Sequence, residues 1–243
     1  MPDEITPLND HTPGRVLAVM PHPDDTEFFC GGTLALWAAR GAEVYICMVT
    51  DGSKGSDDPE MTAERLIAIR QEEQRASARV LGAQDTFFLG VPDGEVVPDP
   101  ALRKRIVRLI RQLKPDALVC PDPSVIYYGD YINHPDHRAV GEAALYAFQP
   151  AANNRFFFPD LLAEGLEPHQ LKEVYLAGAK EPNVEIDTTA ALDTQIAALR
   201  EHRSQLPNMD ELEKEFRAGG ETLPDGSKRY TEKLRRFVFG PNG

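Results

Sequence analysis

Val16-Leu17-Ala18-Val19-Met20-Pro21-His22-Pro23-Asp24-Asp25-Thr26-Glu27 runs from an unbroken apolar stretch into a histidine and three acids, and Gly31-Gly32 follows as a helical apolar pattern begins. Five consecutive apolar residues without polar alternation predict a short strand buried in an α/β sheet. A histidine and two adjacent carboxylates at its end lie where open parallel sheets bind their ligands, outside the carboxyl ends of the strands. A second cluster, His134-Pro135-Asp136-His137, stands far downstream. Together the two supply imidazoles, an anionic ligand and spare acid–base groups, which is what a divalent metal and a hydrolytic water require.

The flanking sequence agrees with that fold. Strand-like runs at 16–20, 44–49, 86–89 and 117–120 alternate with helical patterns at 33–40, 59–81, 100–113 and 135–148. Such alternation predicts an α/β, doubly wound, mainly parallel sheet flanked by helices. Gly41, Gly82 and Pro115 mark helix ends. Runs at 174–178 and 184–186 are expected to add strands at one edge, 189–206 to form a helix, and the rest to be a charged helical tail broken at Gly219-Gly220. No repeat or low-complexity linker interrupts the chain. Residues 1–243 therefore read as a single domain, with a core over about 15–205 and a helical C-terminal extension.

Charge narrows the partners. With 26 Lys and Arg against 39 Asp and Glu the formal charge is −13, which argues against nucleic acid and against anionic membrane surfaces. The basic cluster Arg103, Lys104, Arg105, Arg108 and Arg111 lies on a helical pattern opposite Leu102, Ile106, Leu109, Ile110 and Leu113, and reads as a solvated face. No apolar stretch approaches the roughly 20 residues that span a bilayer. The N-terminal 14 residues are polar and lack a signal-peptide pattern, so a cytoplasmic protein is expected. Cys30, Cys47 and Cys120 form no Cys-x-x-Cys pair, so neither a disulfide framework nor a thiolate zinc site is signalled.

In the first cluster His22 and Asp25 are near enough to bind one metal, and Pro23 stiffens the backbone between them. Asp24 and Asp25 alternate in direction, so one carboxylate can ligate while the other holds the attacking water. Helix capping would explain one aspartate, but not the histidine or the second acid. In the second cluster Pro135 suits the first helical position, placing His134 at the cap and His137 in the first turn. The positive helix end favours a neutral imidazole at His137, and Asp136 is placed to orient or charge His134.

These residues resemble the zinc-dependent LmbE-like, or PIG-L, de-N-acetylase family. The likeness rests on Pro21-His22-Pro23-Asp24-Asp25-Thr26-Glu27 with Gly31-Gly32, and on His134-Pro135-Asp136-His137-Arg138 with Gly141. Thr50-Asp51-Gly52, Arg70, Glu73, Leu81-Gly82 and His202-Arg203-Ser204-Gln205 support it. The resemblance implies a Rossmann-like fold and one Zn2+ held by His22, Asp25 and His137. It implies Asp24 as the base that deprotonates the attacking water. It implies His134, oriented by Asp136, as the group that stabilises the oxyanion or protonates the departing amine. Arg70 matches a position that binds sugar hydroxyls or an anionic substituent. The implied reaction is removal of an N-acetyl group from an N-acetylglucosamine-type sugar or its conjugate, by a homo-oligomeric enzyme. The alternative within the same chemistry is a zinc amidase acting on a thiol-conjugate or another amide. Ile132-Asn133 departs from the Tyr-Gly that some members carry before the second motif. A ferrous oxygenase uses a similar ligand set, but such enzymes favour all-β barrels. A binding module, in which the clusters are mere caps, predicts no tightly held metal.

Overall fold

The computed structural model describes residues 5–240. The strands are β1 (Thr6–Pro7), β2 (Arg15–Met20), β3 (Glu43–Thr50), β4 (Asp85–Val91), β5 (Ala117–Pro121), β6 (Tyr127–Tyr128), β7 (Tyr131–Ile132), β8 (Glu173–Ala177), β9 (Val184–Asp187), β10 (Glu221–Thr222), β11 (Lys228–Arg229) and β12 (Thr231–Val238). The helices are α1 (Asp25–Ala39), α2 (Ala63–Leu81), α3 (Pro100–Leu113), α4 (Pro135–Tyr146), α5 (Pro159–Ala163), α6 (Leu192–Leu199) and α7 (Met209–Ala218). Eight strands form one sheet in the order β1-β9-β12-β8-β5-β2-β3-β4. Among the described residues only β12 runs antiparallel to its neighbours in it; β6–β7 and β10–β11 are separate hairpins.

The apolar run of β2 explains its central place. Val16, Ala18 and Met20 join the core beneath α1, while Leu17 and Val19 join the core beneath α3 and α4. A strand with period-two side chains and both faces covered has no room for a polar residue. From β2 the chain winds outward through β3 and β4, then returns to place β5 on the other side of β2. The sheet therefore changes winding direction between β2 and β5, and the loops after those two strands flank the crevice that this creates.

Several expectations need correction. The run at 174–178 forms β8 inside the sheet, not at its edge, because β12 pairs with its outer side. The charged tail is only partly helical: after α7 the chain makes a hairpin and then the eight-residue β12. Residues 189–206 do not form one helix, since α6 stops at Leu199 and turns carry the chain past His202. Arg111 is not on a solvated face. It is buried on α3 and donates to the carbonyls of Ala151 (3.1 Å), Ala152 (3.2 Å), Asn154 (2.9 Å) and Phe157 (3.0 Å), so it ties down the Phe-rich segment before α5. Among the described residues, no helix is long and apolar enough to cross a membrane.

Helix α1 begins earlier than its apolar pattern suggests, and it is broken at Cys30 (φ −154°, ψ 16°). The break frees backbone donors of a second helical start. The Glu232 carboxylate, arriving from β12, accepts from the N–H of Gly32 (2.9 Å) and Thr33 (2.8 Å). An anion at a helix start is favourable for the same reason as an N-cap. Gly32 permits this approach: a Cβ there would lie 2.9 Å from the Thr188 side chain and 3.0 Å from the Glu232 carboxylate.

Candidate active site

The turn after β2 gives the first cluster its shape. Asp24 caps α1 in the left-handed region (φ 98°, ψ −27°), a conformation that aspartate tolerates better than most residues with a Cβ. The reversal turns the two neighbouring carboxylates apart, as the sequence predicts. Asp25 accepts from the His22 N–H (2.8 Å), and its Oδ2 lies 3.0 Å from His22 Nδ1. Its Oδ1 lies 3.3 Å from His137 Nε2. Asp24 faces the other way, 3.3 Å from the Arg70 guanidinium, and its N–H donates to Gln74 Oε1 (3.0 Å).

Helix α4 brings in the second cluster from the loop after β5. His137 projects from its first turn, and the His22 and His137 ring centroids are 5.5 Å apart. The approach depends on Gly141, because a Cβ there would overlap the Pro121 carbonyl oxygen and press on Pro123. Gly141→Ala is therefore expected to push α4 off β5. Overpacking of this kind costs about 1–3 kcal/mol. Thermal melting should show it as a lowered Tm, together with weaker metal retention as His137 shifts.

His134 is the N-cap of α4, and its Nδ1 accepts from the Asp136 backbone N–H (3.3 Å). Asp136 thus orients His134, but through its backbone; its carboxylate is 3.9 Å from that ring. A ring whose Nδ1 accepts a hydrogen bond carries its proton on Nε2 when neutral. Burial, then the nearby His22, lowers the His134 pKa, which keeps the ring neutral and leaves Nε2–H as a donor.

The Asp136 carboxylate serves other partners. It accepts from the N–H of Gly94 (2.7 Å) and Val96 (3.3 Å), and lies 3.4 Å from His22 Nε2. Asp93, in the loop after β4, approaches the same nitrogen at 3.2 Å. Burial would push the His22 pKa down, but the carboxylates of Asp136, Asp25 and Asp93 outweigh it and raise it to about 11. The two imidazoles on Asp25 likewise overcome burial and hold its carboxyl well below the usual range. Asp24 goes the opposite way: burial and the charge of Asp25 lift it to about 7, against the opposing charges of Arg70 and His202.

The donor set fits a metal. Ligand atoms of His22, Asp25 and His137 all lie within 4.8 Å of one another. One carboxylate flanked by two imidazoles, anionic overall and buried, matches a three-ligand site that leaves a fourth position for water. His22, Asp24, Asp25, His134 and His137 line one cavity of about 780 Å3, which Arg70, Asp93 and Tyr131 also border. Such a size suits a small-molecule site.

Arg70 is buried. It donates to the Pro23 carbonyl (2.6 Å) and the Gly52 carbonyl (3.0 Å) as well as facing Asp24. His202 is buried, 3.3 Å from the equally buried Glu27 carboxylate of α1. Asp93 is the residue that sequence reading passed over. Its only signal was an acid in a turn directly after a parallel strand, on the same rim as the two motifs.

This fold and site define an α/β protein with a two-histidine, one-carboxylate cluster that could hold a metal ion at the sheet's switch point. Residues 17–148 match the family described as PIG-L: GlcNAc-PI de-N-acetylase. A diacetylchitobiose deacetylase from Thermococcus kodakarensis is 35% identical, over 83% of this chain and 73% of that protein. A probable N-acetyl-alpha-D-glucosaminyl L-malate deacetylase 2 from Bacillus anthracis is 29% identical over 93% of both chains. The solved N,N'-diacetylchitobiose deacetylase from Pyrococcus horikoshii superposes with a TM-score of 0.81 at 29% identity, covering 93% of this chain and 84% of that one. The chain belongs to the PIG-L, or LmbE-like, deacetylase family.

Proposed function

We propose that this protein is a zinc-dependent hydrolase that removes an N-acetyl group from an N-acetylglucosamine-type amino sugar or its conjugate. One observation carries the reading: adjacent carboxylates are driven to opposite roles, Asp25 locked ionised between two imidazoles and Asp24 turned away with its pKa lifted to about 7. Pairs of acids whose environments push them apart are how acid–base roles are divided in active sites.

His22, Asp25 and His137 would hold the zinc, which when bound supplies Lewis-acid activation of water and of the amide carbonyl. Asp24 takes the proton of the attacking water, a task suited to a group titrating near neutrality. Arg70 steadies Asp24 and the Pro23 carbonyl behind it, and its place on the cavity wall suits contact with substrate hydroxyls. His134 offers Nε2–H to the carbonyl oxygen as charge develops there. The proton gathered on Asp24 is then available to the departing amine. No serine or cysteine nucleophile is needed. The relatives' names, deacetylases of diacetylchitobiose and of a glucosaminyl malate, support the sugar class.

A panel of N-acetylated hexosamines, their disaccharides and a thiol-conjugate amide, assayed for free amine and acetate, tests this. Acetate released from the amino sugars, lost with chelator and restored by zinc, is the expected result. Turnover of the thiol-conjugate amide alone, or turnover indifferent to chelator, would refute the reading.

A further inference from the structure

Asp24-Asp25-Thr26-Glu27 has the order of a capping box, in which an acid three residues past the N-cap reaches back to the N-cap N–H. The chain does not close that box directly. The Asp24 side chain makes no cap hydrogen bond; the N–H groups of Glu27 (3.0 Å) and Phe28 (3.3 Å) donate to the Asp24 carbonyl instead. Glu27 does not reach back either. Its buried carboxylate accepts from Gln74 Nε2 (3.0 Å) and from the Ser77 hydroxyl (2.5 Å), while Gln74 Oε1 takes the Asp24 N–H (3.0 Å). The box is closed through a side chain of another helix.

One face of α2 is built for this. Arg70, Gln74 and Ser77 recur at helical spacing, and all three are buried. Buried polar groups are costly unless each meets a partner, and these meet theirs around the start of α1. Arg70 faces the Asp24 carboxylate (3.3 Å), Gln74 holds the Asp24 backbone, and Ser77 holds Glu27. A single orientation of the Gln74 amide serves both of its neighbours, with oxygen to the N–H and nitrogen to the carboxylate. With an apolar side chain at position 74 the Asp24 N–H loses its acceptor, and the ordinary box becomes the cheapest repair: Glu27 returns to that N–H, and the Asp24 carboxylate turns onto the helix start. We infer that Gln74 is a positioning residue for the general base: by relaying the cap from Glu27 to the Asp24 N–H, it releases the Asp24 carboxylate from capping and keeps it on the cavity wall. The inference rests on the reading of Asp24 as that base.

The test is kcat, KM and zinc content, measured with the amino sugar that the substrate panel identifies. Wild type is compared with Asp24→Asn, Gln74→Met, Gln74→Glu and the double variant Gln74→Glu/Glu27→Gln. A catalytic group displaced by about 1 Å can cost roughly 10²-fold in rate. A loss of that size in kcat is expected for Gln74→Met, with KM and zinc content near their wild-type values. Gln74→Glu sets two carboxylates against each other and should also lose kcat; the added Glu27→Gln exchanges amide and acid and should restore much of it, a rescue that a merely structural role would not give. A kcat near wild type in Gln74→Met, a loss carried by KM or by zinc content, or no recovery in the double variant overturns the inference. Should Gln74→Met fail to fold, the exchanged pair decides. If metal-loaded Asp24→Asn turns over normally, the base reading fails and takes this inference with it. An inactive Asp24→Asn beside a fully active Gln74→Met sinks the inference alone.

Discussion

Asp24→Asn is expected to keep its metal and its fold yet lose about 10²–10⁴-fold in kcat, the usual contribution of a positioned general base. Asparagine is the substitution that isolates the proton-transfer role. It has nearly the shape of aspartate and accepts the left-handed backbone at φ 98° as readily, so the turn that separates positions 24 and 25 survives. It also removes a buried charge that Asp25 repels. The sign of the stability effect follows. Asp24's folded pKa, about 7, lies above the unfolded 3.8, so its contribution to stability is present below the unfolded value and fades as pH rises through 7. The metal-free variant should therefore melt no lower than wild type at pH 8. The same shift predicts that wild-type kcat/KM falls as pH drops below about 7, when the base becomes protonated. Residual activity in the variant should lack that limb. Normal turnover by metal-loaded Asp24→Asn would reject the assignment of the base.

Removal of a ligand has the second large effect, and it separates the two kinds of aspartate. Asp25→Ala and His137→Ala should both lose stoichiometric zinc, measured by metal analysis after dialysis, and with it essentially all turnover. Their metal-free stabilities should differ. Asp25 is the shared partner of His22 and His137, and removing one side of a buried ionic cluster costs about 3–5 kcal/mol. His137→Ala leaves Asp25 its hydrogen bonds from the His22 backbone and ring, so it should melt higher than Asp25→Ala. Full zinc occupancy in either variant would overturn its place as a ligand.

What could be read from the chain was whatever is local. The central strands were visible because a strand covered on both faces must be continuously apolar, as Val16–Met20 is. The two histidine motifs were visible because each is contiguous and sits at a strand end or helix start. What stayed hidden depends on partners distant in sequence. Strand β12 carries Glu232, Lys233, Arg235 and Arg236, a composition that reads as solvated tail until one sees Glu232 on the broken start in α1 and Arg236 paired with Glu173 at 3.2 Å. Arg111 follows a helical pattern that looks exposed, yet four backbone carbonyls meet it. Asp136 illustrates a subtler limit. Its link to His134 was legible from spacing, but its carboxylate is spent on Gly94, Val96 and His22, contacts that only the assembled sheet brings about.

The late arrival of β12 has a bearing on biosynthesis. Because this segment wedges between β8 and β9 and braces the helix beneath Asp25, a nascent polypeptide stalled before residue 231 would expose an unpaired β8 flank and an uncapped helix fragment. Completion of the sheet beside the candidate site thus waits on the synthesis of residues 231–238, far from that site in sequence.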